Sequence, residues 1–392
     1  MIYGVMYFTI FSLVVAVFWV SVFAKLISLS RKQMAVLKYF SVSPLIFMLL
    51  FCILRIVFPI ELPYTYVFEI KKILPQIQSF FAIPIFSYRH IKITIAALLG
   101  IIWFMVAVLL AIRNIRFYWH FRHFLDFLPA SDDGRLYRLL AEAGLDNPQK
   151  VRKIIVHDAV QSPAIVGGIY PIIILPNIDF DDEELLGIFT HEIAHYKYKH
   201  HFVKLVTEFV HICFWWNPLF KDLSSEMGHA LEMHSDKMVC RKLTYSQQKK
   251  YLSTIIKIMK DTDNSGLPDG FSCGLVEEPD NEKLQQRFKM ILGKHYQGKK
   301  KFNFVAIVCT VFIFLLSYSF VLQPYSEPAV SDYGYEEEED IFFPASDYYI
   351  IETEDGYDLY KYPQKLIDHI ENIEYEFKKL KVFQSLEEVK KK

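Results

Sequence analysis

The chain has 392 residues, a formal net charge of −1 and 53 % hydrophobic residues, and its mean hydropathy is +0.20. A chain of this length can hold two domains, and so apolar a composition is typical of a membrane protein. The near-zero charge argues against a direct nucleic-acid partner, because proteins that bind nucleic acids usually carry a strongly basic surface.

Four apolar runs, at residues 5–24, 40–60, 93–112 and 302–322, are long enough to cross a bilayer, for which about 20 residues suffice. The second run contains one charge, Arg55, near an end from which its side chain can reach the headgroups. The first run is longer than the apolar part of a signal peptide and has no basic segment before it. We therefore predict an uncleaved anchor and four transmembrane helices in all.

The basic residues predict the orientation, because Lys and Arg concentrate in cytoplasmic loops. Those that flank the first, third and fourth runs are Lys25, Arg31, Lys32, Lys38, Arg113, Arg116, Arg122, Lys299, Lys300 and Lys301. Both termini are therefore expected outside, and residues 113–301 in the cytoplasm. The loop at residues 61–92 pulls against this orientation, since it carries four basic residues, but the other three regions agree.

From about residue 124 to residue 293 the composition becomes that of a soluble domain. Residues 151–156 are predicted to form a strand. Residues 164–166 and 171–176 flank Gly167-Gly168 and are predicted to form a hairpin that leads into a helix.

That helix is predicted from about Asp182 to about His200, with Asp181 as its N-cap and acidic residues in its first turn. It contains the sequence His191-Glu192-Ile193-Ala194-His195. Two imidazoles at positions i and i+4 lie on one helix face and can hold one zinc ion. Glu192 then lies beside a metal-bound water, where it can take a proton.

Downstream, Glu232 and Asp236 are i, i+4 partners on another helical stretch. Glu232 is expected as the third zinc ligand, which leaves the fourth position open, and Asp236 as a carboxylate that fixes the tautomer of a ligand histidine. Alone, this pair would be an ordinary solvated helix face. After the histidine motif it indicates a zinc peptidase, and in such enzymes an edge strand before the catalytic helix can pair with an extended substrate.

The apolar run at residues 209–220 is too short for a fifth span, and a single crossing would separate Glu232 from the two histidines. It is predicted to be a buried or interfacial helix, with Phe214-Trp215-Trp216 at the level of the headgroups. The metal site would then lie close to the bilayer surface.

The other histidines of this domain are expected to be structural, because three ligands have already been assigned. His200 and His201 are predicted to end the motif helix, where they interact favourably with its dipole. The same expectation applies to His211, His229 and His234.

Residues 324–392 hold 18 acidic and 8 basic residues. A hairpin is predicted around Asp355-Gly356 and a helix over residues 364–379. This region is either a small sensor module or a solvated appendage. The five cysteines include none in the two segments expected outside, so neither a disulfide framework nor a cysteine metal cluster is expected.

The chain resembles the BlaR/MecR-type family of membrane zinc peptidases, which are antirepressor signal transducers of bacteria. The likeness covers roughly residues 1–322. It is carried by the segment from Ser162-Pro163 through Gly167-Gly168 to Leu175-Pro176, by the histidine motif, by Phe214-Trp215-Trp216-Asn217-Pro218, by the Glu232 and Asp236 pair, and by the basic amphipathic stretch at residues 283–291.

The expected fold class is α+β, a four-span helical membrane protein with a gluzincin-like zinc peptidase domain in the cytoplasm and a small extracellular C-terminal region. The expected domains are residues 1–112 with three spans, 113–301 as the peptidase, 302–322 as the fourth span and 323–392 as the tail. The resemblance implies zinc bound by His191, His195 and Glu232, with Glu192 as the general base.

The resemblance also implies that an external signal activates cleavage of the chain itself, of a DNA-bound repressor, or of both. The residues expected in the self-cleavage region are Gly293, Lys294, Lys299, Lys300 and Lys301. The expected partners are a protein or peptide substrate and the lipid bilayer, and a homodimer is compatible with the sequence.

The chain departs from the antibiotic-sensing members, which end in a penicillin-binding domain of a few hundred residues. Its tail is short and has no Ser-x-x-Lys sequence, so β-lactam sensing is not expected. Two alternatives remain open, a membrane quality-control or prenyl-protein protease and a non-catalytic receptor with a structural metal site. The Trp-Trp-Asn-Pro sequence and the three-plus-one layout of spans argue against the first, and the intact Glu192 argues against the second.

Overall fold

The computed structural model describes residues 7–32, 41–88, 91–145, 150–168, 170–241, 243–264, 281–293, 300–325, 348–353, 356–362, 365–370, 380–384 and 389. The chain divides into two compact units, Met1–Tyr325 and Ser326–Lys392. The mixture of many helices with short strands agrees with the predicted α+β class.

The described helices of the first unit are α1 Ile10–Lys32, α2 Val42–Val57, α3 Ile73–Ala82, α4 Ile95–Phe127, α5 Gly134–Glu142, α6 Asp182–Lys197, α7 His200–Cys213, α8 Pro218–Cys240, α9 Tyr245–Asn264, α10 Asn281–Leu292 and α11 Lys300–Leu316. Its described strands are β1 Tyr7–Phe8, β2 Ile60–Glu61, β3 Tyr66–Ile70, β4 Pro84–Tyr88, β5 Ile91–Thr94, β6 Lys153–Val156, β7 Ala164–Val166, β8 Ile172–Leu175 and β9 Phe320–Pro324.

Two described helices are long and apolar enough to cross a membrane, α1 over Ile10–Arg31 and α4 over Ile95–Phe127. They contain most of the first and third predicted spans. The second and fourth predicted spans correspond to shorter apolar helices, α2 with 16 residues and α11 with 17. Helix α2 ends just before Pro59, because proline disfavours a helical conformation in the residue that precedes it.

Strand pairing brings three distant segments to one end of these helices. Strand β1, before α1, pairs with β2, which follows α2. Strand β3 pairs in parallel with β9, which follows α11. The N-terminal segment, the loop after α2 and the segment after α11 therefore lie at the same end of the helices, while the predicted sidedness stays a prediction.

A three-stranded sheet in the order β6-β8-β7 precedes α6. Strands β7 and β8 are antiparallel and form the predicted hairpin, and β6 runs parallel to β8. Gly167 has a φ of 102° in the connection, a conformation that costs little without a Cβ atom. Strand β7 lies at an edge of this sheet, beside α6.

Helix α6 begins as predicted but ends earlier. Asp181 accepts a hydrogen bond from the Glu184 backbone N–H, and the Glu184 side chain accepts one from the Asp181 backbone, which is a capping box. The helix ends at Lys197, and Lys199 takes a left-handed conformation with a φ of 53°. His200 therefore begins α7, so the prediction that His200 and His201 end the motif helix is wrong.

Helix α8 packs directly against α1 and α2. One apolar cluster contains residues of all three helices, among them Ala24, Leu49 and Met227. Near the end of α1, the buried Arg31 side chain pairs with Glu226 of α8, with 2.9 Å between Nη2 and Oε1. Arg31 Nη1 also donates to Gln286 Oε1 of α10 at 2.7 Å.

The second unit contains a four-stranded sheet among its described residues, with strands β10 Tyr348–Thr353, β11 Gly356–Lys361, β12 Lys365–Ile370 and β13 Lys381–Phe383 in the order β12-β11-β10-β13. Strands β10 and β11 form the predicted hairpin, with Thr353 opposite Gly356. The helix predicted over residues 364–379 is wrong over β12, because this segment completes its backbone hydrogen bonds with β11. Residues 371–379 lie outside the described residues.

We predict that Glu226→Ala lowers the free energy of unfolding by about 3 kcal/mol, because it leaves the Arg31 guanidinium buried without a counter-charge. The double variant Arg31→Met, Glu226→Leu should recover most of this loss. Thermal unfolding in detergent micelles measures both.

The control is Asp126→Ala, which breaks a partly exposed ion pair with Arg152. The Asp126 side chain is 34 % exposed and the Arg152 side chain is 48 % exposed. Such a pair contributes about 1 kcal/mol or less. Equal losses in the Glu226 and Asp126 variants would contradict the structural role of the buried pair.

Candidate metal centre

Two imidazoles of α6 point toward one position. His191 and His195 are one helical turn apart, and their Nε2 atoms are 3.1 Å from each other. Both side chains are nearly buried, at 10 % and 13 % exposed. The helix spacing alone accounts for this arrangement, because residues four apart lie on the same face.

Glu232 of α8 supplies a carboxylate at the same position. Its Oε2 lies 3.3 Å from His191 Nε2 and its Oε1 lies 3.5 Å from His195 Nε2. Among the described residues, these three side chains form a group whose ligand atoms all lie within 4.8 Å of one another. Helix α8 brings Glu232 there because it packs along both α6 and α7.

These separations fit a tetrahedral zinc ion. Zinc bonds to nitrogen and oxygen of about 2.05 Å, at tetrahedral angles, place neighbouring ligand atoms about 3.3 Å apart. The separations of 3.1, 3.3 and 3.5 Å are close to this value, and the last two run to the two different oxygens of the Glu232 carboxylate. Two imidazoles and one carboxylate are also the ligand set of zinc peptidases, in which the fourth position stays open.

Asp236 and Tyr251 contact Nδ1 of His191, the ring nitrogen that faces away from the metal position. The Tyr251 hydroxyl lies 2.8 Å from His191 Nδ1 and donates to Asp236 Oδ1 at 2.9 Å, while Asp236 Oδ1 lies 3.2 Å from the same nitrogen. This arrangement keeps the hydrogen on Nδ1 and turns the Nε2 lone pair toward the metal position. Gly187 makes room for Tyr251, since a Cβ there would lie 3.1 Å from its ring.

The corresponding nitrogen of His195 contacts another histidine, His200. Its Nδ1 lies 3.1 Å from His200 Nδ1, and His200 Nε2 lies 3.2 Å from His234 Nδ1. If His195 presents Nε2 to a metal, its Nδ1–H donates to His200, which then donates to His234. Burial lowers the pKa of His200 to about 3, so this imidazole is neutral and can accept the hydrogen bond.

Two cations balance the carboxylates of the site. Arg287 of α10 donates to Asp236 from Nε at 2.7 Å and from Nη2 at 3.1 Å, and its Nη2 lies 3.6 Å from Glu232. Lys204 of α7 lies 3.2 Å from Glu232 Oε1. Burial alone would raise the pKa of Glu232, but the charge of Lys204 and the two histidines hold it well below its usual value.

Glu192 lies buried beside the two histidines. Burial raises the pKa of its carboxyl to about 7, and the Ile165 backbone N–H donates to it. A carboxylate with a pKa near neutrality is suited to accept and return a proton at physiological pH. Ile165 belongs to the edge strand β7, so the base and the open edge of the sheet are adjacent.

The region that contains this site matches a known family. Residues 71–291 match the sequence profile of the family described as BlaR1 peptidase M56, which is more than half of the chain. The chain belongs to this family. The BlaR/MecR resemblance is thereby confirmed, and membership in a metallopeptidase family accords with a metal at the His191, His195 and Glu232 group. A sequence comparison with curated proteins gives no match.

The histidine motif and the Glu232 and Asp236 pair were visible in the sequence, but four supporting residues of this M56 peptidase were not. They are Lys204, His200, Tyr251 and Arg287. Their contacts join different helices at sequence separations that carry no periodic signal. Arg287 alone had a local signal, since it lies in the basic amphipathic stretch before the last predicted span.

The predicted self-cleavage residues border α10 and α11 where they are described. Gly293 directly follows α10, and Lys300 and Lys301 begin α11. Lys294 and Lys299 lie outside the described residues. Their cleavage stays a prediction, as do the roles assigned to the residues of the metal site.

We predict that each zinc ion bound displaces about one proton. Burial alone would lower the pKa of His191, but its hydrogen bonds with Asp236 and Glu232 and their charges raise it to about 10. The metal-free protein therefore holds a proton on His191 at neutral pH, and a ligand histidine must be neutral. The apparent zinc affinity should rise about tenfold for each pH unit between about pH 6 and pH 8.

Isothermal titration calorimetry in buffers of different ionisation enthalpy measures this proton release. The Asp236→Asn variant should release less, because it loses the charge that keeps His191 protonated. A zinc affinity that does not change with pH would contradict the assignment of His191 as a ligand.

Proposed function

We propose that the chain is a membrane-bound zinc metalloendopeptidase that cleaves a protein substrate at the membrane surface. The observation that carries this proposal is the convergence of His191, His195 and Glu232 on one position, with Glu192 beside it. Family membership supports the same reaction class.

Each residue of the site has a distinct role in the proposed reaction. His191, His195 and Glu232 hold the metal, and bound zinc supplies Lewis-acid chemistry at this point. Glu192 takes a proton from the attacking water and passes it to the leaving amine. Asp236 and Tyr251 keep His191 in the tautomer that binds metal.

The edge strand β7 offers a place for an extended substrate. The Ile165 backbone N–H donates to the Glu192 carboxyl, so Glu192 lies beside β7, whose strand partner in the described sheet is β8. A peptide that pairs with β7 as an added strand would pass directly in front of Glu192. This placement supports hydrolysis of an internal peptide bond in an extended segment.

The proposal places the site on the cytoplasmic side and the two termini outside, as the basic residues indicate. Helices α1 and α4 are candidates to anchor the protein in the bilayer. The proposed substrates are the chain itself near residues 293–301 and a cytoplasmic repressor, which would be cut after an external signal. The second unit is the proposed site at which that signal is received.

We predict that Glu192→Gln keeps zinc but lowers the rate of cleavage by about 10²–10⁴-fold, because it removes the base and leaves the metal ligands in place. His195→Ala should lose both zinc and cleavage. The measurement follows fragments of the chain and of candidate repressors in proteoliposomes, together with zinc content by mass spectrometry.

The matched control is Glu183→Gln on the same helix, whose side chain is 58 % exposed and lies outside the site. It should cleave at the wild-type rate. Zinc binding with cleavage that survives Glu192→Gln would contradict the peptidase mechanism. Signalling that survives this variant without any fragment would favour a metal-stabilised receptor, and cleavage confined to misfolded membrane proteins would favour a quality-control protease.

A further inference from the structure

Helices α7 and α8 form a hairpin whose tip contacts the middle of two candidate membrane spans. Trp103 of α4 donates from Nε1 to the Cys213 carbonyl, at 2.6 Å, where α7 ends. Asn217, where α8 begins, donates from Nδ2 to Ser21 Oγ of α1 at 2.9 Å. Ser21 lies near the midpoint of α1, and Trp103 lies near the midpoint of the uncharged run at residues 93–112.

The charged residues that flank the two candidate spans give the depth of this tip. On α1 the first charged residue after Ser21 is Lys25, a rise of about 6 Å at 1.5 Å per residue. On α4 the first charged residue after Trp103 is Arg113, a rise of about 15 Å. The tip of the hairpin therefore lies about 6–15 Å below the charged flanks, within a hydrocarbon core of about 30 Å.

Most of the well-exposed side chains of α7 are apolar, and the polar ones are His201 and the partly exposed Glu208. Phe202, Leu205, Phe209 and, beyond the helix, Trp216 are all at least half exposed. The opposite face packs into the cluster shared with α1 and α2 through Val210. An apolar face that continues from membrane spans at the same depth fits lipid acyl chains.

The turn at the tip satisfies its own backbone, as a segment inside a bilayer must. The Asn217 N–H donates to the Phe214 carbonyl at 2.9 Å, and the Asn217 side chain accepts from the Leu219 N–H at 3.0 Å. The acidic residue of α7, Glu208, accepts from Asn114 of α4 at 3.2 Å.

We infer that α7, the turn at residues 214–216 and the first half of α8 form a re-entrant hairpin that enters the hydrocarbon of the bilayer without crossing it. The sequence pattern predicted the same aromatic residues at headgroup level, and the contacts with Ser21 and Trp103 place them deeper. The inference rests on α1 and α4 crossing the membrane, as the proposed function assumes.

The hairpin also determines what the site can reach. Glu232 follows Asn217 by 15 residues on α8, a rise of about 22 Å. Because the tip lies about 6–15 Å below the charged flanks, the metal centre stands about 7–16 Å above the bilayer surface. Its substrate class is therefore a membrane-anchored or membrane-proximal protein segment. This conclusion rests on the proposed peptidase function.

Nitroxide labels measure the depth of the hairpin in nanodiscs of phosphatidylcholine and phosphatidylglycerol. In a variant without native cysteines, single labels are placed by Phe202→Cys, Phe209→Cys and Trp216→Cys. Power saturation with oxygen and with a water-soluble nickel chelate gives each depth. The step from Phe202 to Phe209 along α7 should take the label about 10 Å deeper, and Trp216, in the turn beyond the helix, should be the deepest.

Two further labels separate the possible failures. Tyr170→Cys, on the exposed hairpin connection, should contact water, and Phe104→Cys, exposed near the middle of the uncharged run at residues 93–112, should lie in hydrocarbon. Equal depths at positions 202, 209 and 216 with Phe104 in hydrocarbon would overturn the re-entrant hairpin alone. A Phe104 label in water would overturn both the hairpin and the proposed spans.

The substrate class is tested by one peptide sequence presented in two forms, soluble and joined to a lipid anchor. The wild-type protein in nanodiscs should cleave the anchored form at least tenfold faster at equal bulk concentration. Glu192-dependent cleavage of both forms at equal rates would overturn the substrate class while the peptidase function stands. Cleavage of neither form by the wild type, when it cleaves its own chain, would also overturn it.

Discussion

A carboxylate on α8 and two imidazoles on α6 can bind one metal ion only if the two helices keep a fixed position relative to each other. The contacts of the buried Asp236 fix that position. Its side chain is fully buried and contacts His191, Tyr251 and Arg287, which lie on three other helices. Asp236 is one turn from Glu232, so these contacts also fix where the Glu232 carboxylate lies. The charge of Asp236 is compensated by Arg287, which makes its burial tolerable.

The two imidazoles are supported by different chemistry. The Nδ1 of His191 contacts Asp236 and Tyr251, and Arg287 pairs with Asp236. The Nδ1 of His195 instead contacts His200, which continues to His234. Both arrangements leave Nε2 free to bind metal. The Asp236 carboxylate makes His191 the more basic of the two, since burial lowers the pKa of His195 to about 4 while that of His191 is raised to about 10.

Helix α8 connects this chemistry to the candidate membrane helices. Its first half packs on α1 and α2 and carries Glu226, and its second half carries Glu232 and Asp236. Arg31 of α1 donates both to Glu226 of α8 and to Gln286 of α10. Gln286 directly precedes Arg287, and Glu226 lies six residues before Glu232. A movement of α1 therefore acts on the same helix that positions the third ligand.

The sequence predicted what depends on local pattern. Asp181 and Glu184 marked the start of α6, Gly167 marked the hairpin turn, and the histidine spacing marked the face of the metal site. The predictions from sequence failed where contacts between distant parts of the chain determine the structure. Lys199 breaks the helix without a glycine or proline, strand β12 exists because β11 offers it a partner, and Tyr251 reaches His191 from a helix 60 residues away.

X-ray absorption at the zinc edge of the purified, membrane-reconstituted chain tests the central claim most directly. We expect one zinc with two imidazoles and oxygen ligands at about 2.0–2.1 Å, and loss of the zinc signal in His195→Ala. A spectrum with sulfur at about 2.3 Å, which would require the chain's cysteines, or an unchanged spectrum in His195→Ala, would contradict the metal centre described here.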